Sequence, residues 1–306
     1  MEKVIKIGTR DSQLALWQAT TVQKKLTDLG YKTKLVPVKS TGDVVLNKPL
    51  YELGITGIFT KTLDVAMLNG TVDIAVHSMK DVPTALPIGI RQTAVLPRAT
   101  TTDVLVHKGL TFLNHEGTIA TGSLRRKAQW LNKYPKHNVV DLRGNVNLRL
   151  QKLADNDWSG AIFAKAGLER INVLPENYID LDWMIPAPAQ GAVVVHTMIH
   201  DEFTTTAVAK LNDNNTEICT EIERSFLKKL EGGCTAPIGA LATVEKDEIT
   251  FTGALFSLDG TQKKEIKQVG IKLSETKGLG EKFAQKILAD GGAAMMQQIK
   301  DALKEV

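Results

Sequence analysis

The sequence predicts an α/β protein, two units of strands alternating with helices, followed by a smaller α+β domain. Three observations carry this. Short apolar runs alternate with amphipathic stretches from residue 4 to Pro97. The same alternation restarts after Pro97. From about residue 214 the texture changes to one amphipathic helix, strands of alternating pattern and a long C-terminal helix.

In order, VIKIGTR (4–10) is a short β-rich run. SQLALWQATTVQKKL (12–26) follows with Leu14, Trp17, Val22 and Leu26 near helical spacing and Ser12 as its N-cap. TKLVPV (33–38) is a second strand, IFTKTLDVAML (58–68) a helix through Phe59, Leu63 and Met67, and VDIAVHS (72–78) a buried strand. In the second unit DVLVH (103–107) is a strand, and TIATGSLRRKAQWL (118–131) is a strand, glycine turn and helix. NVVDLRG (138–144) is a strand, VNLRLQKLA (146–154) a helix, and GAIFAKAGLERI (160–171) a strand leading into a helix. PAPAQGAVVVH (186–196) is a Pro/Gly crossing and an apolar strand that can return the chain to the first unit. TEICTEIERSFLKKL (216–230) lines Ile218, Ile222, Phe226 and Leu230 on one face, with Gly232 placed to end it. IGALATVE, EITFTGALFS and a helix over 276–304 complete the chain.

The 306 residues are 43% hydrophobic and 24% charged, enough for a sizeable core without disulfide or metal staples, and the formal net charge of +4 suits anionic ligands. Only 5% of residues are aromatic and no basic stripe is interleaved with them, which argues against nucleic acid. The N-terminus lacks a long apolar run, and no stretch approaches the roughly 18 apolar residues of a membrane span, so a cytoplasmic protein is expected. Cys219 and Cys234 form no CxxC and the six histidines show no ligand spacing, so neither disulfide nor metal is expected.

Chemistry concentrates in four places. Five of the nine arginines (Arg125, Arg126, Arg143, Arg149 and Arg170) fall between residues 125 and 170, read as at or just past strand ends, where open α/β sheets bind ligands. Any one of them could be a solvated basic residue; together they point to a polyanion site, because guanidinium is a planar fork of donors for carboxylates. HSMKDVP (77–83) sets Ser78, Lys80 and Asp81 in a turn at a strand end, able to bind or to move protons, or else a capped turn with a surface ion pair. GTRDSQLAL (8–16) puts Arg10 and Ser12 at a helix start, a ready anion site or a plain N-cap. EGGCTAPIG (231–239) presents Cys234 between Gly232, Gly233 and Pro237, a reactive thiol or a point of covalent attachment.

HSMKDVP, SLRR, LRGNV with NLRL, AGLERI, PAPAQGA, ERSFL and EGGCTAPIG stand in the order and spacing of the porphobilinogen deaminase family, which the chain resembles over nearly its whole length. The resemblance implies two domains like type II periplasmic binding proteins, with the active site in the cleft between them, and a third α+β domain. It assigns residues 1–97 with 191–212 to the first domain, 98–190 to the second and 213–306 to the third. It implies a dipyrromethane cofactor held by a thioether to Cys234. Four porphobilinogen molecules are condensed onto it with loss of ammonia, and hydroxymethylbilane is released by hydrolysis. Asp81 would be the catalytic carboxylate. The cofactor would meet Ser78, Lys80, Asp81, Thr121, Ser123, Arg125, Arg126, Arg143, Asn145, Ala164, Gly167 and Gln190; substrate would meet Arg10, Ser12, Gln18, Arg149 and Arg170. A cytoplasmic monomer without metal, nucleic acid or membrane partner is implied.

The chain departs from the family pattern where KVGGKGLF becomes ELGITGIF (52–59), with Glu52 and Thr56 for lysines, and where KELE becomes KTLD (61–64). TSSLRR becomes TGSLRR at Gly122, AAAGL becomes AKAGL at Lys165, and REDPRD becomes RATTTD (98–103). The alternatives are a non-catalytic binding protein for an anionic solute on the same scaffold, or a nucleic-acid binder using the arginines.

Overall fold

The structure is a computed structural model that describes residues 3–39, 59–231 and 236–304. The chain divides into two compact units. Among the described residues, one holds those up to residue 39, residues 59–99 and Gly191–Ile218; the other holds Thr100–Gln190 and those from Cys219 onward.

In the first unit, β1 (Ile5–Thr9), β2 (Thr33–Pro37), β3 (Ile74–Ser78), β4 (Ile90–Val95) and β10 (Val193–Met198) make one sheet ordered β2-β1-β3-β10-β4. β1 runs parallel to β2 and β3, and β10 is antiparallel to β3 and β4. Pro37 ends edge strand β2, where a missing N–H costs no ladder bond. Helices cover both faces. α1 (Gln13–Asp28) and α6 (Glu202–Ala209) pack Ala19, Val22, Leu26, Ala207 and Val208 against Ile5, Ile7, Ile74, Val76, Val193 and Val195. α2 (Lys61–Leu68) packs Leu63, Ala66 and Met67 against Ala75, Ile90 and Met198 on the other. Coverage on both faces explains why β10 reads as an unbroken buried run.

In the second unit, β5 (Asp103–His107), β6 (Thr118–Ala120), β7 (Asn138–Val140), β8 (Gly160–Ala164) and β9 (Tyr178–Asp180) form a sheet ordered β7-β6-β8-β5-β9. β7, β6 and β8 are parallel, while β5 is antiparallel to β8 and β9. Both sheets therefore follow one plan: second, first and third local strands, then an antiparallel strand from elsewhere in the chain, then the fourth. This is the type II periplasmic-binding-protein plan expected of the sequence, and β10 is the expected return strand. α3 (Leu124–Lys133) seats Trp130 on one face with Leu105, Ile119 and Ile162, and α4 (Val146–Asp155) seats Leu153 on the other with Val104, Ala161 and Phe163.

The same unit carries a third, antiparallel sheet of β11 (Ile238–Glu245), β12 (Glu248–Phe256) and β13 (Lys263–Lys272). Phe226 of α7 (Asn214–Lys229), Phe251 of β12 and Phe283 of α8 (Leu279–Ile287) form an aromatic chain at centroid spacings of 5.3 and 4.7 Å. Ala254 and Phe256 pack on Ala128 of α3, and Asn132 donates to the Gly260 carbonyl at 2.7 Å, seating this sheet on α3. β13 is lysine-rich and mostly exposed, which blunts an open edge.

Several elements differ from expectation. α2 starts at Lys61, leaving Phe59 outside it, and β7 stops at Val140. The C-terminal helix is two, α8 and α9 (Ala293–Lys304), broken where Gly291 takes φ +89°. After α7 the left-handed residue is Glu231, at φ +55°, while Gly232 lies outside the described residues. β4, β9, β13 and α6 were not anticipated.

Candidate active site

Parallel neighbours bring their carboxyl ends to one edge. In the first unit this places the ends of β1 and β3 together. Arg10 follows β1, its guanidinium 4.5 Å from the centre of the Phe59 ring, and Ser12 caps α1 by accepting from the Ala15 N–H at 3.4 Å. Gln18, buried on α1, donates to the Ser78 hydroxyl at 2.8 Å and ties α1 to the end of β3. A single 3-10 turn, Met79–Asp81, follows; Met79 is buried and its N–H bonds the Ala192 carbonyl at 3.0 Å. Lys80 and Asp81 are left half-buried at the rim. Of the six residues expected here, Gln18 and Ser78 meet directly, Arg10 and Ser12 follow β1, and Lys80 and Asp81 follow β3.

In the second unit the ends of β6, β7 and β8 share an edge. Thr121 and Ser123 follow β6, Arg143 and Asn145 follow β7, and Ala164 and Gly167 follow β8. Ser123 caps α3 by accepting from the Arg126 N–H at 3.5 Å, Asn145 caps α4 by accepting from the Leu148 N–H at 3.0 Å, and Thr121 accepts from the Ser123 N–H at 3.3 Å. The helix starts are thus aimed at the edge, where their N–H groups favour anions. Arg149 instead lies inside α4, and Arg170 ends α5 (Lys165–Arg170), so neither sits at a strand end as expected.

Arg125, Arg126 and Gln190 have a framework role the sequence does not announce. All three meet Asp103, which is fully buried at the start of β5. Arg126 donates to Asp103 Oδ1 through Nη2 at 2.7 Å and Nε at 3.2 Å, and to the Ile162 carbonyl at 3.0 Å. Arg125 Nη2 lies 2.8 Å from Oδ2, while Nη1 donates to the Ile185 carbonyl at 2.7 Å. Gln190 Nε2 donates to Oδ1 at 2.9 Å and to the Thr101 carbonyl at 2.7 Å. The signal available in sequence was a lone acid opening an apolar strand.

Burial pulls the Arg125, Arg143 and Arg170 guanidiniums below their ordinary pKa even though Asp103, Asp141 and Glu169 respectively oppose the shift. Buried guanidinium groups at such an edge suit an anionic ligand, whose carboxylates would favour their charged form. A cofactor and substrate carrying carboxylates fit such a site.

Two departures from the family pattern have structural causes. A Cβ at Gly122 would stand 2.5 Å from the Leu142 carbonyl, so a side chain there requires the backbone to shift. Lys165 is turned away to Asp180, bonding both carboxylate oxygens at 2.9 and 3.0 Å, with its ammonium 5.0 Å from the Tyr178 ring centre. Those hydrogen bonds raise its pKa. Glu52, Thr56 and Cys234 lie outside the described residues.

The family model described as "Porphobilinogen deaminase, dipyromethane cofactor binding domain" matches residues 5–206. The chain belongs to the porphobilinogen deaminase family. The family's C-terminal domain matches residues 217–289. The chain is 38% identical to the porphobilinogen deaminase of Chlorobium phaeobacteroides over 98% of its own length and 99% of the relative's. It is 39% identical to that of Desulfitobacterium hafniense, with the same two shares covered. A solved periplasmic VFT2 domain of Bordetella pertussis BvgS, 11% identical, aligns over 68% of this chain and 86% of its own at a TM-score of 0.42. The family's reaction is the condensation of four porphobilinogen molecules onto a dipyrromethane cofactor, with loss of ammonia, followed by hydrolytic release of hydroxymethylbilane. No helix among the described residues is long and apolar enough to cross a membrane.

Proposed function

We propose that Asp81 is the carboxylate of this deaminase reaction and that Cys234 carries the dipyrromethane. The observation that carries this reading is the placement of Asp81. The buried Met79 anchors the Met79–Asp81 turn at the carboxyl end of β3, beside the Arg10 and Ser12 end of β1. A carboxylate so anchored is preorganised to stabilise the cation that develops as ammonia leaves, and to take the ring proton afterwards. Lys80, Arg10, Ser12, Gln18 and Ser78 serve it by holding the acetate and propionate groups. In the second unit Arg143, Arg149 and Arg170 supply charge-assisted donors for ligand carboxylates, Thr121, Ser123, Asn145, Ala164 and Gly167 form the rim of that edge, and Arg125, Arg126 and Gln190 hold that rim through Asp103. When bound, the dipyrromethane supplies the pyrrole carbon to which the first porphobilinogen is joined. A three-domain division at residues 98, 191 and 213, a monomeric state and a cytoplasmic location accompany this reading.

Intact-mass measurement of the purified chain tests the attachment. The wild type should carry the mass of two linked pyrroles and Cys234→Ser should not; an active, unmodified wild type would overturn it. Asp81→Asn should keep the adduct and the fold while turnover falls by about 10²–10⁴-fold, the usual contribution of a positioned acid–base group.

A further inference from the structure

Behind the Asp81 turn, on the α2 face of the first sheet, one carboxyl and two imidazole side chains meet beside the apolar packing of α2. His77 of β3 stands opposite Val194 of β10, and His196 stands opposite Ala75, so the two histidines form a diagonal pair on one face. Their ring centres are 5.1 Å apart. Asp64 reaches the same place from α2, whose Leu63 and Met67 cover Ala75. Asp64, His77 and His196 are 7%, 5% and 1% exposed. Each offers one ligand atom, and these atoms all lie within 4.8 Å of one another. Among the described residues, Asp64 Oδ1 and His77 Nε2 have no hydrogen-bond partner, a costly state for buried polar atoms. A bulge in the β10–β4 pairing falls at Val195/His196, the kind of irregularity that re-aims a side chain.

We propose that Asp64, His77 and His196 bind one borderline divalent transition-metal ion, with Zn²⁺ as the preferred occupant. Two imidazoles and one carboxylate are the donor set of open, four-coordinate zinc sites. Imidazole selects zinc and its neighbours over Mg²⁺ and Ca²⁺, which take oxygen. At Zn–ligand distances of ~2.0–2.1 Å the ligand atoms stand ~3.3 Å apart. Closing from within 4.8 Å is a movement of about an ångström, within reach of side-chain torsions. The Thr60 hydroxyl, hydrogen-bonded to the Asp64 carboxyl, would orient it in the manner of an outer-shell partner. Occupied, the site would pin α2, β3 and β10 together four residues before Asp81. Spacing in the sequence could not reveal it, because the ligands are 13 and 119 residues apart.

The test uses the full chain with its cofactor, treated with chelator and then titrated with Zn²⁺, Co²⁺ or Mg²⁺ alone. One equivalent of Zn²⁺ should bind and raise the unfolding midpoint, while Mg²⁺ at the same concentration should do neither. Co²⁺ should give the intense visible bands of a low-coordinate N/O site and paramagnetically shift the ring protons of two histidines. Asp64→Asn and His196→Gln, close in volume to the native residues, should each weaken Zn²⁺ binding by at least about 100-fold, more than losing an outer-shell partner does. Absence of stoichiometric uptake overturns the proposal, as does unchanged uptake in both folded variants. Should neither variant fold, the wild-type cobalt spectrum decides: six-coordinate bands, or shifts in any set other than two histidines, overturn it.

Discussion

Replacing Asp103 by alanine should destabilise the second unit by about 3–5 kcal/mol, the range for breaking a buried ion pair from one side. The magnitude follows from what is left behind. Asp103 is fully buried, and the side chains of Arg125 and Arg126 are 4% and 7% exposed, so neither guanidinium reaches water when the carboxylate is gone. Two like charges then remain in a low-dielectric layer, and Gln190 Nε2 loses its bond to Asp103 Oδ1. Chemical denaturation followed by tryptophan fluorescence is suited to the measurement, because Trp130, Trp158 and Trp183 lie in this unit and Trp17 in the other. Adding Arg126→Met should recover part of the loss, since it removes one stranded charge and the two changes share a contact. A loss under about 1 kcal/mol, or strict additivity in the double variant, would refute the network as a coupled frame.

Gly122→Ser, which restores the family's hydroxyl, should cost about 1–3 kcal/mol in a stability titration, because its Cβ meets the Leu142 carbonyl at 2.5 Å. Glu223→Gln should cost about 1–3 kcal/mol: the buried Glu223 carboxylate accepts from the Ala189 N–H at 2.6 Å and the Ala242 N–H at 2.7 Å, and an amide can accept only one of them. Lys165→Ala should change kcat/KM by less than about fivefold, the most that a partly exposed pair worth up to ~1 kcal/mol could shift, since its ammonium is already committed to Asp180.

The alternation of apolar strands and amphipathic helices was enough to read both α/β units, because a strand covered on two faces has little choice but to be apolar throughout, as in the 193–198 run. What stayed hidden was set by tertiary contact. β13 is a polar edge strand whose pattern carries no core signal, and β9 is three residues long. The break in the C-terminal helix was legible in principle from the paired glycines at 291 and 292, which amphipathic periodicity on either side outweighed.

For the site, residues at the carboxyl edge were legible because a parallel strand's end is marked by the change from apolar to polar. Asp81, Ser78, Thr121 and Asn145 all fall there. Side chains that reach inward from that edge were not, since arginine reads the same in sequence whether it grips a ligand or a buried carboxylate. Arg125 and Arg126 stand next to each other, yet both close on Asp103, which lies 22 and 23 residues upstream. The same reasoning accounts for ERSFL and PAPAQGA as one device. Ala189 is held at φ +63°, an uncommon conformation for a residue with a Cβ, and its N–H is fixed by Glu223 from α7. The neighbouring Gln190 then reaches Asp103. A chain of buried contacts thus runs from α7, which ends five residues before Cys234 in the sequence, through the crossing segment to the two arginines of α3. If that chain positions the arginine-bearing edge, Glu223→Gln should perturb substrate binding as well as stability. A loss of stability with KM unchanged would confine Glu223 to the fold.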